Sequence, residues 1–126
     1  MSESQKVLIV DDEDDIRELA RISLERVGGL RVVVASSGQE GLQLAAAEQP
    51  DAIVLDAMMP GMDGPQTLEA LKADPGTAHI PVVFLTGSVQ AADRDRFMTL
   101  GAVATLIKPF DPMKLADQLR EALGWS

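Results

Sequence analysis

Four short apolar runs, each closed by a polar residue, constrain this chain more than any other feature. They are Val7-Leu8-Ile9-Val10 before Asp11-Asp12, Ile53-Val54-Leu55 before Asp56, Val82-Val83-Phe84-Leu85 before Thr86, and Leu106-Ile107 before Lys108. Continuous runs of this kind, mostly β-branched, read as strands buried on both faces. If the strands are parallel, their polar tails all emerge at one edge of one sheet. In open α/β sheets that edge is where ligands bind.

The segments between the runs carry helical spacing. Ile16, Leu19, Ala20, Leu24 and Val27 make one apolar face, which Gly28-Gly29 ends. Residues 30–34 read as a further strand. Ser37 with Glu40 predicts a capping box for a helix carrying Leu42, Leu44, Ala45 and Ala46, and Pro50 stops that helix. Leu68 and Leu71 mark a third helix. Pro81 opens the next strand, and Phe97 and Leu100 lie on a fourth helix with Gly101 as its C-cap. The last strand spans residues 102–107. Asp111 is then the expected N-cap, Pro112 the first helical residue, and Leu115, Leu119 and Leu123 the buried stripe of a fifth helix.

The pattern is (βα)5 over a single domain, residues 1–126, with its core at about 6–124. Alternating strands and helices imply a parallel sheet covered on both faces, and right-handed crossovers make it doubly wound. The strand order 2-1-3-4-5 is favoured because it sets strands 1 and 3 side by side at a switch point. The crevice should therefore open between Asp11-Asp12 and Asp56.

Composition narrows the function. The chain has 20 acidic and 11 basic residues, for a net charge of −9, so it repels nucleic acid. It contains no cysteine, which excludes disulfides, thiol catalysis and thiolate metal sites. Residues 1–6 lack the basic start and apolar stretch of a signal peptide, and no apolar run approaches the ~20 residues that cross a bilayer. A cytoplasmic protein with no membrane attachment is the expectation.

Three carboxylates, a hydroxyl and an ammonium at one sheet edge suit a hard divalent cation and a phosphoryl group. Mg²⁺ takes oxygen ligands and commonly pairs one or two carboxylates with a phosphate. Asp11, Asp12 and Asp56 can supply the oxygens, and a divalent ion with Lys108 offsets all three negative charges. A carboxylate can also attack phosphorus to give an acyl phosphate. Asp56 is the better nucleophile because it stands alone on the middle strand, and Asp11 and Asp12 are the better metal holders. The Thr86 hydroxyl can donate to a phosphoryl oxygen. Taken singly, each residue also has a plainer reading: a solvated helix start for Asp11-Asp12, a turn for Asp56, a strand-end cap for Thr86, a surface charge for Lys108.

Together these pieces resemble the CheY-like receiver domain of two-component response regulators. VLIVDDEDD at 7–15, IVLDAMMPGMDG at 53–64, VVFLTG at 82–87 and LIKPFDP at 106–112 follow that family's order and spacing across most of the chain. The resemblance implies phosphorylation at Asp56 and Mg²⁺, with Mn²⁺ as a substitute, held by Asp11, Asp12, Asp56 and the backbone carbonyl of Met58. It implies phosphoryl contacts from Thr86 and Lys108, and a proline after the lysine, here Pro109, that is often cis. It also implies a sensor histidine kinase or histidine phosphotransfer protein as donor. A downstream protein is expected on the face built from the fourth helix, fifth strand and fifth helix. The protein is expected to be a phosphoacceptor rather than a conventional enzyme, as a monomer or a weak phosphorylation-linked dimer. With no room after the fifth helix for an output domain, a stand-alone regulator is the expectation.

Two departures bear on the switch. Thr105 stands where many receivers carry Tyr or Phe, and Gly87 follows Thr86 where alanine is common. In the family, the residues two past the aspartate and two past the threonine, here Met58 and Ser88, govern water access. A phosphorelay intermediate and a phosphorylation-independent scaffold remain alternatives. A dehalogenase-type phosphatase resembles Asp-x-Asp, where this chain has Met58 as the second residue. A flavin-phosphate carrier conflicts with the acidic run 11–15.

Overall fold

A computed structural model describes residues 4–87 and 90–125. Its elements are β1 (Lys6–Val10), α1 (Asp14–Ile22), β2 (Arg31–Ala35), α2 (Gly38–Glu48), β3 (Ala52–Asp56), α3 (Gly64–Ala73), β4 (Val82–Thr86), α4 (Ala91–Thr99), β5 (Ala104–Ile107) and α5 (Leu115–Leu123). The five strands are parallel and ordered β2-β1-β3-β4-β5, as expected.

Alternation along each strand divides the core into two layers. Leu8 and Val10 of β1, Ile53 and Leu55 of β3, and Val82 and Phe84 of β4 pack with Ala45 of α2, Leu68 and Leu71 of α3, and Phe97 of α4. Val7, Ile9, Val54, Val83 and Leu85 point the other way, onto Ala20 and Leu24 and onto Leu115, Ala116 and Leu119 of α5. Phe84 and Phe97 tie β4 to α4 through rings 4.5 Å apart at 43°. With both faces covered, only the sheet ends remain for ligands. At the carboxyl end, Val10 stands opposite Leu55, Asp56 opposite Leu85, and Thr86 opposite Ile107.

Several local expectations need correction. The α1 stripe is only partly buried: Ala20 and Leu24 are inside, while Leu19 and Val27 are 40% and 46% exposed. After Ile22 the chain widens into a π-helical turn at Ser23–Val27. The extra residue per turn carries Val27 off the stripe and turns Ser23 inward. There the Ser23 hydroxyl donates to the carbonyl of Pro112, next to α5.

At α2 the Ser37 hydroxyl accepts the Glu40 N–H at 3.1 Å, but the Glu40 carboxylate reaches the N–H of Ser36 instead of Ser37. Ala46 of that helix is exposed. A reciprocal box forms at α3, where Asp63 and Gln66 accept each other's N–H at 2.9 and 3.0 Å.

β5 begins two residues later than expected, at Ala104. Leu100, not Gly101, is the α4 cap; Gly101 follows with φ +114. Asp111 and Pro112 do not start α5. The Asp111 carboxylate accepts the Met113 N–H, and its carbonyl accepts the N–H groups of Lys114 and Leu115. This turn stands ahead of the helix, so Lys114 is the cap and Leu115 the first helical residue.

Gly64 sits under direct steric demand at the end of the sheet. A Cβ on Gly64 would lie 2.6 Å from the Asp56 carbonyl oxygen, 2.7 Å from the Ala57 Cα and 2.8 Å from a Phe84 ring carbon. Two of those neighbours are backbone and cannot swing aside. Gly64→Ala should therefore cost about 2–3 kcal/mol of stability. Thermal denaturation should show Tm lowered by roughly 10 °C; an unchanged Tm would mean that the β3–α3 loop is not held against the sheet end.

Candidate functional site

The site is built from four strand ends. The Asp11 N–H donates to the Ala35 carbonyl at 3.1 Å, continuing the β1–β2 ladder one residue past β1. Its Oδ1 accepts the Glu13 N–H at 2.8 Å, which turns the carboxylate over the start of α1. Asp56 is the last residue of β3 and its Oδ1 accepts the Met58 N–H at 3.2 Å. Thr86 closes β4 and is buried. The Lys108 N–H donates to the Thr86 carbonyl at 2.8 Å, and the Lys108–Pro109 peptide is cis, as the family resemblance suggests.

These anchors bring three carboxylates together. One oxygen from each of Asp11, Asp12 and Asp56 lies within 4.8 Å of the others. Asp11 and Asp56 are 1% and 3% exposed, and Asp12 is half-buried. The Lys108 ammonium lies 3.1 Å from Asp11 Oδ2, 3.3 Å from Asp56 Oδ2 and 3.1 Å from Glu13 Oε1. The Glu13 contact is an aligned hydrogen bond. The contacts to Asp11 and Asp56 are ion pairs by distance alone, because both Oδ2 atoms accept no hydrogen bond.

Burial is the main force on Asp56 and pushes its carboxyl up to about 6. The Met58 N–H and the Lys108 charge oppose the rise, and the Asp11 charge adds to it. For Lys108, burial alone favours the neutral amine. The surrounding carboxylates of Asp11, Glu13 and Asp56 outweigh it and hold the ammonium above the usual lysine range.

The cluster can bind a metal ion. Lys108 offsets only part of the negative charge of three clustered carboxylates, and a divalent cation would offset the rest. Every side-chain donor in the set is a hard oxygen, which suits Mg²⁺ or Mn²⁺ and not a soft metal.

Other anticipated residues also line the cleft and groove beside this crevice. Met58, 78% exposed, borders a neighbouring cleft with Thr86, Gly87, Pro65, Arg96 and Phe97. A Cβ on Gly87 would meet nothing within 4 Å. Thr105 and Pro109 line a separate groove between β5 and α5. Ser88 lies outside the described residues. Glu13 was not anticipated, although its place after the aspartate pair was a visible cue.

Residues 7–120 match the family model described as "Response regulator receiver domain". The chain belongs to the response regulator receiver family. It is therefore a receiver domain of the two-component kind, with the fold that its sequence led us to expect.

Solved receivers superpose over nearly their whole length. The chemotaxis protein CheY4 of Vibrio cholerae aligns with TM-score 0.89 at 30% identity, covering 95% of this chain and 99% of that one. A response regulator from Chloroflexus aurantiacus aligns with TM-score 0.87 at 32% identity, covering 97% and 99%. Curated relatives are longer. The probable transcriptional regulator ycf27 of Guillardia theta is 40% identical over 119 residues, which is 94% of this chain and 45% of that protein. The response regulator PleD of Caulobacter vibrioides is 41% identical over 119 residues, or 93% and 26%. The receiver thus spans about half, or less, of the length of such relatives. Among the described residues, no helix is long and apolar enough to cross a membrane.

Proposed function

We propose that this receiver takes a phosphoryl group onto Asp56 from the phosphohistidine of a sensor kinase or phosphotransfer protein. The observation that carries the proposal is the buried Asp56 carboxylate at the tip of β3, set among Asp11, Asp12 and Lys108. In the step, an Asp56 oxygen forms a bond to phosphorus as the phosphorus–nitrogen bond of the donor breaks. The electron pair stays on the donor nitrogen, which takes up a proton. A divalent cation held by Asp11, Asp12, Asp56 and the Met58 carbonyl supplies positive charge to the phosphoryl oxygens when bound.

The chain's own residues contribute position and charge, which dominate phosphoryl transfer. The Met58 N–H holds one Asp56 oxygen and so fixes the direction of the other. Lys108 offers an ammonium to the incoming oxygens, and Thr86, on the adjacent strand end, offers a hydroxyl. Movement of Thr86 and the loop after it would then shift the α4–β5–α5 face, the binding surface we assign to a downstream protein. Thr105 cannot report through an aromatic rotamer on that face. The reading makes the chain a cytoplasmic phosphoacceptor whose output is protein binding.

Donor chemistry tests the reading. Phosphoramidate, whose phosphorus–nitrogen bond stands in for phosphohistidine, should phosphorylate the chain in Mg²⁺, whereas phosphoserine should not. Equal labelling by both donors, or by neither, would contradict it.

A further inference from the structure

Lys108 has three N–H bonds and three carboxylates around it, and it serves them unequally. Its aligned hydrogen bond goes to Glu13 Oε1, while Asp11 Oδ2 and Asp56 Oδ2, at similar distances, accept none. The Glu13 side chain is 59% exposed, against 1% and 3% for the other two. A buried carboxylate has far more to gain from the ammonium than one that water can already solvate. The aligned hydrogen bond nevertheless goes to Glu13, the partner that needs it least.

Resting on the reading of Asp56 as phosphoacceptor, we propose that Glu13 is a positioning residue. Its hydrogen bond fixes how the Lys108 ammonium is aimed in the resting state and releases it when phosphoryl oxygens arrive on Asp56. Glu13 is the carboxylate to give way because an exposed ion pair contributes little and its loss is made good by water. The new partner, a phosphoryl oxygen inside the crevice, takes a stronger charge-assisted hydrogen bond.

The motion is confined to the side chain. The Glu13 N–H is held by Asp11 Oδ1 at 2.8 Å, and its carbonyl accepts the Arg17 N–H at 2.9 Å as α1 begins. Arg17 does not replace Lys108 as partner, since its guanidinium donates to the Asp11 carbonyl and to Asp14. Phosphorylation therefore frees one carboxylate at the entrance of α1 without moving the backbone there. The covalent step is unchanged: oxygen–phosphorus forms, phosphorus–nitrogen breaks, and Lys108 exchanges acceptors without giving up a proton.

The test is the rate of phosphoryl incorporation at Asp56 from phosphoramidate at saturating Mg²⁺. It is measured against donor concentration for wild type, Glu13→Gln and Glu13→Asp. Both variants should react about two- to fivefold faster. The gain should lie in the maximal rate rather than in the donor concentration at half-maximum. Glu13→Asp is decisive, because it keeps the charge and shortens the reach by one methylene. If it behaves as wild type while Glu13→Gln is faster, the effect is long-range charge and the proposal fails. Variants at or below the wild-type rate also overturn it. If wild type itself takes no phosphoryl group at Asp56, the parent reading fails instead.

Discussion

In the presence of a chelator at neutral pH, Asp56→Asn should be more stable than the wild-type chain by about 2 kcal/mol. The substitution keeps the shape of the side chain and the carbonyl oxygen that accepts the Met58 N–H. It removes a buried negative charge that stands close to Asp11. The sign follows from the proton. Asp56 has its carboxyl raised from 3.8 to about 6 in the fold, so the folded protein binds a proton more tightly than the unfolded chain. This group's contribution to stability therefore declines as pH rises from about 4 to 6, and the loss is complete above that window. The gap between Asp56→Asn and wild type should be wide at neutral pH and close near 3.8. Denaturant unfolding at a series of pH values checks this. A gap independent of pH would mean that the Asp56 carboxylate is not strained by burial.

Metal should reverse that penalty. A hundredfold excess of Mg²⁺ over its Kd should stabilise the wild-type chain by about 2.7 kcal/mol. In Asp11→Asn the same titration should leave the Tm nearly unchanged. Asp11 is the most deeply buried of the three carboxylates, and its Oδ2 accepts no hydrogen bond. An amide nitrogen placed there would face the cation with a donor rather than a lone pair. Full retention of the Mg²⁺ response in Asp11→Asn would place the ion elsewhere. The two effects are linked: the strain that raises the Asp56 carboxyl when metal is absent becomes binding energy when a cation is present.

Much of this geometry is written locally in the chain. Val7–Val10 and Ile53–Leu55 declare themselves as buried strands because both their faces are covered. Once those strands are parallel and adjacent, Asp11 and Asp56 can only meet at their shared end. What escaped the sequence depended on contacts between distant segments. The Ser23 hydroxyl looks like a surface group until it meets the Pro112 carbonyl across the α5 junction. Asp111 carries a good N-cap signal, but it caps a preceding turn, and Leu115 becomes the first helical residue when it packs inside. Glu13 reads as one more acid at a helix start until Lys108, 95 residues later, is placed against it. Periodicity reveals which residues go inside, and it says little about which polar group meets which.

The most direct test of the account is intact mass after incubation with acetyl phosphate, with Mg²⁺ and with chelator, for wild type and Asp56→Asn. We expect one phosphoryl group on the wild-type chain in Mg²⁺, and none on the chelated protein or on Asp56→Asn. A phosphoryl group on Asp56→Asn would move the acceptor to another residue. A folded, Mg²⁺-saturated wild type that takes none from acetyl phosphate or phosphoramidate would contradict the assignment of Asp56 as phosphoacceptor.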